Sequence, residues 1–129
     1  TPLPPCHTGF QIISTDGGFE LHWKQRSVDL FLGLPFNIAS YFLLGEFLQE
    51  VTGIEFKGIQ GDLKCVHLYD NAVLPAIGLI NKKSRLYSTP NSKIFVTIDL
   101  KNINPNDIEI QNYEPDGFVK VEMLAPIKL

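Results

Sequence analysis

The stretch "GFQIISTDGGFELHWKQRSV", residues 9–28, reads as two strands folded about a tight turn. Apolar and polar residues alternate on both sides of Asp16-Gly17-Gly18, a composition that favours a hairpin. Antiparallel strands are expected over roughly 9–14 and 18–26. Toward the N-terminus, Pro2, Pro4 and Pro5 forbid a helix and leave the leading residues extended. Toward the C-terminus, "DLFLGLPF" is apolar but interrupted by Gly33 and Pro35, so a buried loop is expected. "FNIASYFLLGEFLQEVTG" then carries apolar residues at helical spacing, with Asn37 available as a cap and Thr52-Gly53 as a stop. Its few charges predict a long central helix buried on most sides.

"IEFKGIQGDLKCVHLYD" alternates and is rich in strand formers, with Gly58 and Gly61 marking a bulge or turn. A shorter helix is expected in "NAVLPAIGLINKK" despite Pro75, then a loop in "SRLYSTPNS" and a strand in "KIFVTIDL". "NINPNDIEIQNYEPDG" reads as turn, short strand and turn, and "FVKVEMLAPIKL" as a terminal strand and tail. The class is α+β, with a mostly antiparallel or mixed sheet packed on the helix. There is no internal repeat.

The 129 residues make one domain, 1–129, or part of one. Hydrophobic residues at 44% against charged residues at 19% support a packed core and argue against disorder. The net charge of −3 gives no broad basic surface, so neither a nucleic acid polymer nor an anionic membrane is an expected partner. The apolar runs are too short to cross a bilayer. Two cysteines are too few for a disulfide framework, and with no cluster at metal spacing we expect free thiols, no metal and a reducing, cytoplasmic setting. The first residue is Thr1 rather than Met, so a fragment is expected.

Three places could carry chemistry. Cys6 follows two prolines, and Arg26 on the facing strand would favour its thiolate; taken alone, a lone cysteine is more often a buried structural residue. His67 and Tyr69 share one face of a strand and could grip a hydroxyl, or could simply line a half-exposed surface. Asn37 is either a helix cap or an amide reading a planar ring. An amide offers one acceptor beside a donor pair, which suits the O4 and N3–H edge of uracil, while cytosine presents the reverse order.

Together, "PPCH", "QRSVDLFLGLPFNIASY" and "HLYDN" resemble the thymidylate synthase family, with a weaker match in "NDIEIQNYEPDGFVKVEM". The resemblance spans essentially the whole chain but only the C-terminal half of a usual family member. It implies the family fold and the transfer of a one-carbon unit from 5,10-methylenetetrahydrofolate to C5 of dUMP. By position, Cys6 would add to C6 of the ring as nucleophile. Arg26 and Ser27 would hold the phosphate, with Arg26 also activating Cys6. Gln25 would line the nucleotide site, Asp29 would contact both pterin and pyrimidine, and Asn37 would read the uracil edge. His67 and Tyr69 would hold the 3′-hydroxyl. The resemblance also implies a homodimer formed through the sheet, with an apolar surface near 9–26.

Some features depart from the family pattern. The usual Gly-Asp before the histidine is replaced in "KCVH", where Cys65 is expected to point inward from a strand. The arginine-rich loop is reduced to "SRLYSTPN", Asp116-Gly117 stands for His-Pro, and "PIKL" extends the tail. The half that supplies a catalytic glutamate and further phosphate-binding arginines has no counterpart here, so an N-terminal partner fragment is one expectation. The alternatives are a dUMP hydroxymethylase, in which water replaces hydride, and a fragment that binds nucleotide or a partner without turnover.

Overall fold

The computed structural model describes residues 3–82, 91–94, 108–113, 117 and 119–124. Strands β1 (His7–Thr15) and β2 (Gly18–Gln25) form the expected hairpin, closed by Asp16-Gly17 with Gly17 at φ +76°. Their register runs from Thr15↔Gly18 out to His7↔Gln25. On its far side β2 pairs in parallel with β4 (Phe56–Leu63), giving a mixed sheet of order β1-β2-β4. The bulge read at Gly58 is present: pairing shifts between Phe19 and Glu20, opposite Phe56 and Gly58.

β2 is the centre of the core because its alternation is strict. Phe19, Leu21, Trp23 and Gln25 are buried on one face, while Glu20, His22 and Lys24 face outward. Helix α1 (Leu34–Thr52) covers the buried face. Phe56 packs against Phe19 at 5.5 Å between ring centroids and meets Phe42 edge-on at 5.4 Å. Gly45 makes this possible, since a Cβ there would meet the Phe56 ring at 2.2 Å.

Two expectations for α1 are corrected. It begins at Leu34 rather than near Asn37, with Gly33 as its cap residue and Pro35 in the first turn. Proline lacks an N–H and has φ preset, which suits a helix start, so the last three residues of the expected buried loop are helix. The second concerns burial: among the described residues of α1, only Gly45 is buried. The low charge of the helix is therefore not matched by enclosure here. Its stop is as expected, with Gly53 at φ +69° and its N–H bonded to Gln49 O at 2.8 Å. Gln49 Oε1 also accepts from Phe56 N at 2.7 Å, tying the helix end to the start of β4.

Beyond the main sheet, β3 (Val28–Asp29) pairs in parallel with β5 (Val66–His67). A single 3₁₀ turn (Asp70–Ala72) leads into α2 (Val73–Asn81), the expected shorter helix. β6 (Asn91–Ile94) pairs antiparallel with β7 (Ile108–Gln111). β6 begins before the strand expected in "KIFVTIDL", and residues 95–100 of that strand lie outside the described residues. So do most of the "SRLYSTPN" loop, Asp116 and the tail after Leu124. Residues 119–124 are described and join no ladder with the other described residues, so the terminal strand is not found among them. Alternation marks a half-covered segment but cannot supply a partner edge. Among the described residues, Glu122 O of this segment accepts from Asn71 Nδ2 at 2.8 Å.

Candidate functional site

The site residues gather where β2 runs out of the sheet. Arg26 N donates to Cys6 O at 2.9 Å, so the hairpin ladder reaches the cysteine. The Arg26 guanidinium then turns along the leading residues, with Nε donating to Pro5 O at 3.0 Å and Nη2 donating to Pro4 O. Its charge therefore lies beside the Cys6 segment, bonded to carbonyls that prolines hold extended. Cys6 is exposed. The prolines answer a local need: carbonyls in a fixed extended run are good acceptors for a forked donor.

Among the described residues, Gln25 is the buried polar group of the core, 4% exposed. Each end of its amide has a partner. Oε1 accepts from Trp23 Nε1 at 3.4 Å, and Nε2 donates to Ser27 O at 3.1 Å and to Asn37 Oδ1 at 3.0 Å. Asn37 is thus a helical residue whose side chain faces the end of β2, not the cap of α1. The cap reading fails because Gly33 already occupies that position, with Asn37 N donating to Gly33 O at 3.0 Å.

Asp29 organises the turn between β3 and α1. Its Oδ1 accepts from Phe31 N at 2.9 Å and Leu32 N at 3.0 Å, and its carbonyl accepts from Gly33 N at 3.1 Å. This side-chain turn is what an aspartate offers at a helix approach. In the β3–β5 pair Asp29 stands opposite His67, and Leu30 N donates to His67 O at 2.9 Å.

His67 and Tyr69 lie together, with rings edge-on at 5.0 Å and 90°, but not on one strand face as expected: β5 ends at His67 and Tyr69 caps the 3₁₀ turn. His67 Nδ1 donates to Cys65 O at 2.8 Å. That bond fixes the tautomer of the neutral ring and leaves Nε2 as an acceptor. Cys65 itself corrects an expectation. It is exposed, not inward, with a left-handed backbone at φ +45°. The chain leaves β4 and enters β5 at this point, and continuous alternation in "DLKCVHLYD" conceals the break.

Gln25, Arg26, Ser27 and Asp29 thus lie within residues 25–30, hydrogen bonds tie Cys6, Asn37 and His67 to that segment, and Tyr69 is set against His67. It also adds residues not singled out from the sequence. Trp23 stacks on Tyr41 at 4.9 Å and 18°, and Tyr41 Oη is 3.1 Å from His7 Nδ1. Burial raises the Tyr41 pKa above its ordinary value of 10.0. The signals were present: Trp23 shares a strand face with Gln25, and Tyr41 lies four residues after Asn37 on one helix face. Among the described residues no group of three or more His, Cys, Asp or Glu could hold a metal, and no helix is long and apolar enough to cross a membrane.

Comparison with known proteins gives two findings. The thymidylate synthase family model matches residues 1–125. A probable thymidylate synthase of Escherichia phage T5 is 38% identical over 127 residues, which cover 94% of this chain and 45% of the phage protein. The chain thus spans less than half the length of that relative.

Proposed function

The chain belongs to the thymidylate synthase family, and on that premise we propose that it carries the nucleotide-binding part of such an enzyme, with Cys6 as nucleophile toward C6 of dUMP. The observation that supports this reading is the anchoring of the expected site residues on one short segment, residues 25–30. Addition of the Cys6 thiolate to C6 pushes the ring electrons toward C5 and O4. The Asn37 Nδ2 group would stabilise the charge that develops on O4, while Oδ1, with a second lone pair beyond its bond to Gln25, would accept from N3–H. Arg26 spends part of its fork on the Pro4 and Pro5 carbonyls and would offer the remainder, with Ser27, to the phosphate. His67 Nε2 would accept from the 3′-hydroxyl, with Tyr69 beside it.

The cosubstrate methylenetetrahydrofolate would supply the one-carbon unit and the hydride. Asp29 fits a role toward it: Oδ1 is held by two main-chain amides, which leaves Oδ2 for a ring N–H. Asn37 does not separate hydride from water as the final donor, so a hydroxymethylase would use the same site. Homodimer formation, and turnover that draws on a partner fragment, belong to the same proposal.

Thiol labelling tests the core of it. Near neutral pH, Cys6 should be alkylated faster than Cys65, and dUMP should slow labelling of Cys6. Mass mapping after partial labelling reads both. Faster labelling of Cys65, or a Cys6 rate indifferent to dUMP, would remove the nucleophile from this reading.

A further inference from the structure

We propose that Trp23 is a specificity-determining positioning residue: acting through Gln25, its indole N–H fixes which end of the Asn37 amide faces a bound base. The proposal rests on the nucleotide reading above. The argument is one of donors and acceptors. An indole N–H can only donate, and a carbonyl can only accept. Gln25 lies between one of each, with Oε1 toward Trp23 Nε1 and Nε2 toward Ser27 O. These neighbours admit one orientation of its amide. The flipped amide would set N–H against N–H and oxygen against oxygen. Gln25 therefore turns Nε2 toward Asn37 at 3.0 Å, and Asn37 must answer with Oδ1.

The order of groups left for a ligand follows. Asn37 has Nδ2 to donate and one lone pair on Oδ1 to accept, which matches O4 and N3–H of uracil. The flipped amide would match the amino group and bare N3 of cytosine instead. Trp23 and Gln25 are each 4% exposed, so water is not at hand to replace a lost partner. The indole is itself fixed. It stacks on Tyr41 and lies over Gly61, where a Cβ would meet its ring at 2.5 Å.

Calorimetry on the full chain with dUMP and dCMP separately, alongside melting temperatures, tests the relay. The native chain should prefer dUMP. Trp23→Phe keeps an aromatic ring over Gly61 but deletes the donor. The ratio of dUMP to dCMP affinity should then fall on the order of tenfold, the effect of one buried hydrogen bond. Gln25→Glu replaces Nε2 by an acceptor, so Asn37 should turn Nδ2 inward and the preference should move toward dCMP. This second variant tests the step from Gln25 to Asn37 and remains informative where Trp23→Phe melts too low to titrate. If either variant keeps the native ratio, the relay is broken at that step and the proposal is overturned. A native chain that binds neither nucleotide, or both alike, overturns the nucleotide reading as well, and the native titration alone identifies that case.

Discussion

At the scale of single residues, the site depends on which atoms are already committed. Asn37 has given one lone pair to Gln25, so replacing its amide changes the remaining pattern directly. Asn37→Asp removes the donor we propose for O4, and a protonated acid can donate to N3 of cytosine while accepting from its amino group. We expect the preference for dUMP over dCMP to narrow or reverse by about 1–3 kcal/mol, read as paired dissociation constants; unchanged constants would return Asn37 to a purely structural role. Tyr41 supports a prediction in pH. Its folded pKa is raised by burial, so its contribution to stability is complete below the unfolded value and is lost as pH rises through the folded one. Urea melts of the native chain and Tyr41→Phe should differ by a constant amount up to about pH 10 and then converge. Curves that stay parallel at every pH above the ordinary tyrosine value would assign the burial effect elsewhere.

At the scale of elements, the hairpin, the bulge at Gly58, the stop of α1 at Gly53 and the short strand near Ile108 were legible because each rests on local chemistry. The start of α1 was less so. "GLP" carries both loop and helix-entry signals, and the side-chain turn of Asp29 resolves them in favour of entry. The burial of α1 was not legible at all, since enclosure depends on what packs against a helix rather than on its own composition. Family resemblance supplied roles for Cys6, Asn37 and His67, whereas the Trp23–Gln25–Asn37 relay needed coordinates, because it joins a strand to a helix twelve residues on. Gly45 is the sharpest packing constraint between α1 and β4. Gly45→Ala should be destabilising by roughly 1–3 kcal/mol through overpacking against Phe56, although alanine is the better helix former. Denaturant midpoints measure this, and a variant more stable than native would show that the Phe56 ring can yield.

At the scale of the whole molecule, the outer sheet face is polar, carrying Glu20, His22 and Lys24, with His22 paired to Glu20 at 2.8 Å. Of the exposed apolar side chains of β1, Phe10 and Ile12, 50% and 54% exposed, lie on the helix side, while Ile13 lies opposite Glu20 on the outer face. The homodimer we propose would therefore meet mixed chemistry along β1 and β2 rather than a uniformly apolar surface. Sedimentation equilibrium should show a dimer at micromolar concentration, and a stable monomer there would remove the dimer from the proposal. The segment of residues 25–30 has a consequence for motion. Its main chain is clasped on one side by Cys6 and on the other by Lys64, Cys65 and His67: Arg26 N to Cys6 O, Lys64 N to Gln25 O, Val28 N to Cys65 O and Leu30 N to His67 O. A segment held from both edges has no cheap way to open one bond at a time. In deuterated solvent, the amide hydrogens of Arg26, Val28, Leu30 and Lys64 should exchange at similar rates and slow in concert when dUMP binds. The groups we propose for the phosphate, the base and the sugar would then breathe as one cooperative unit.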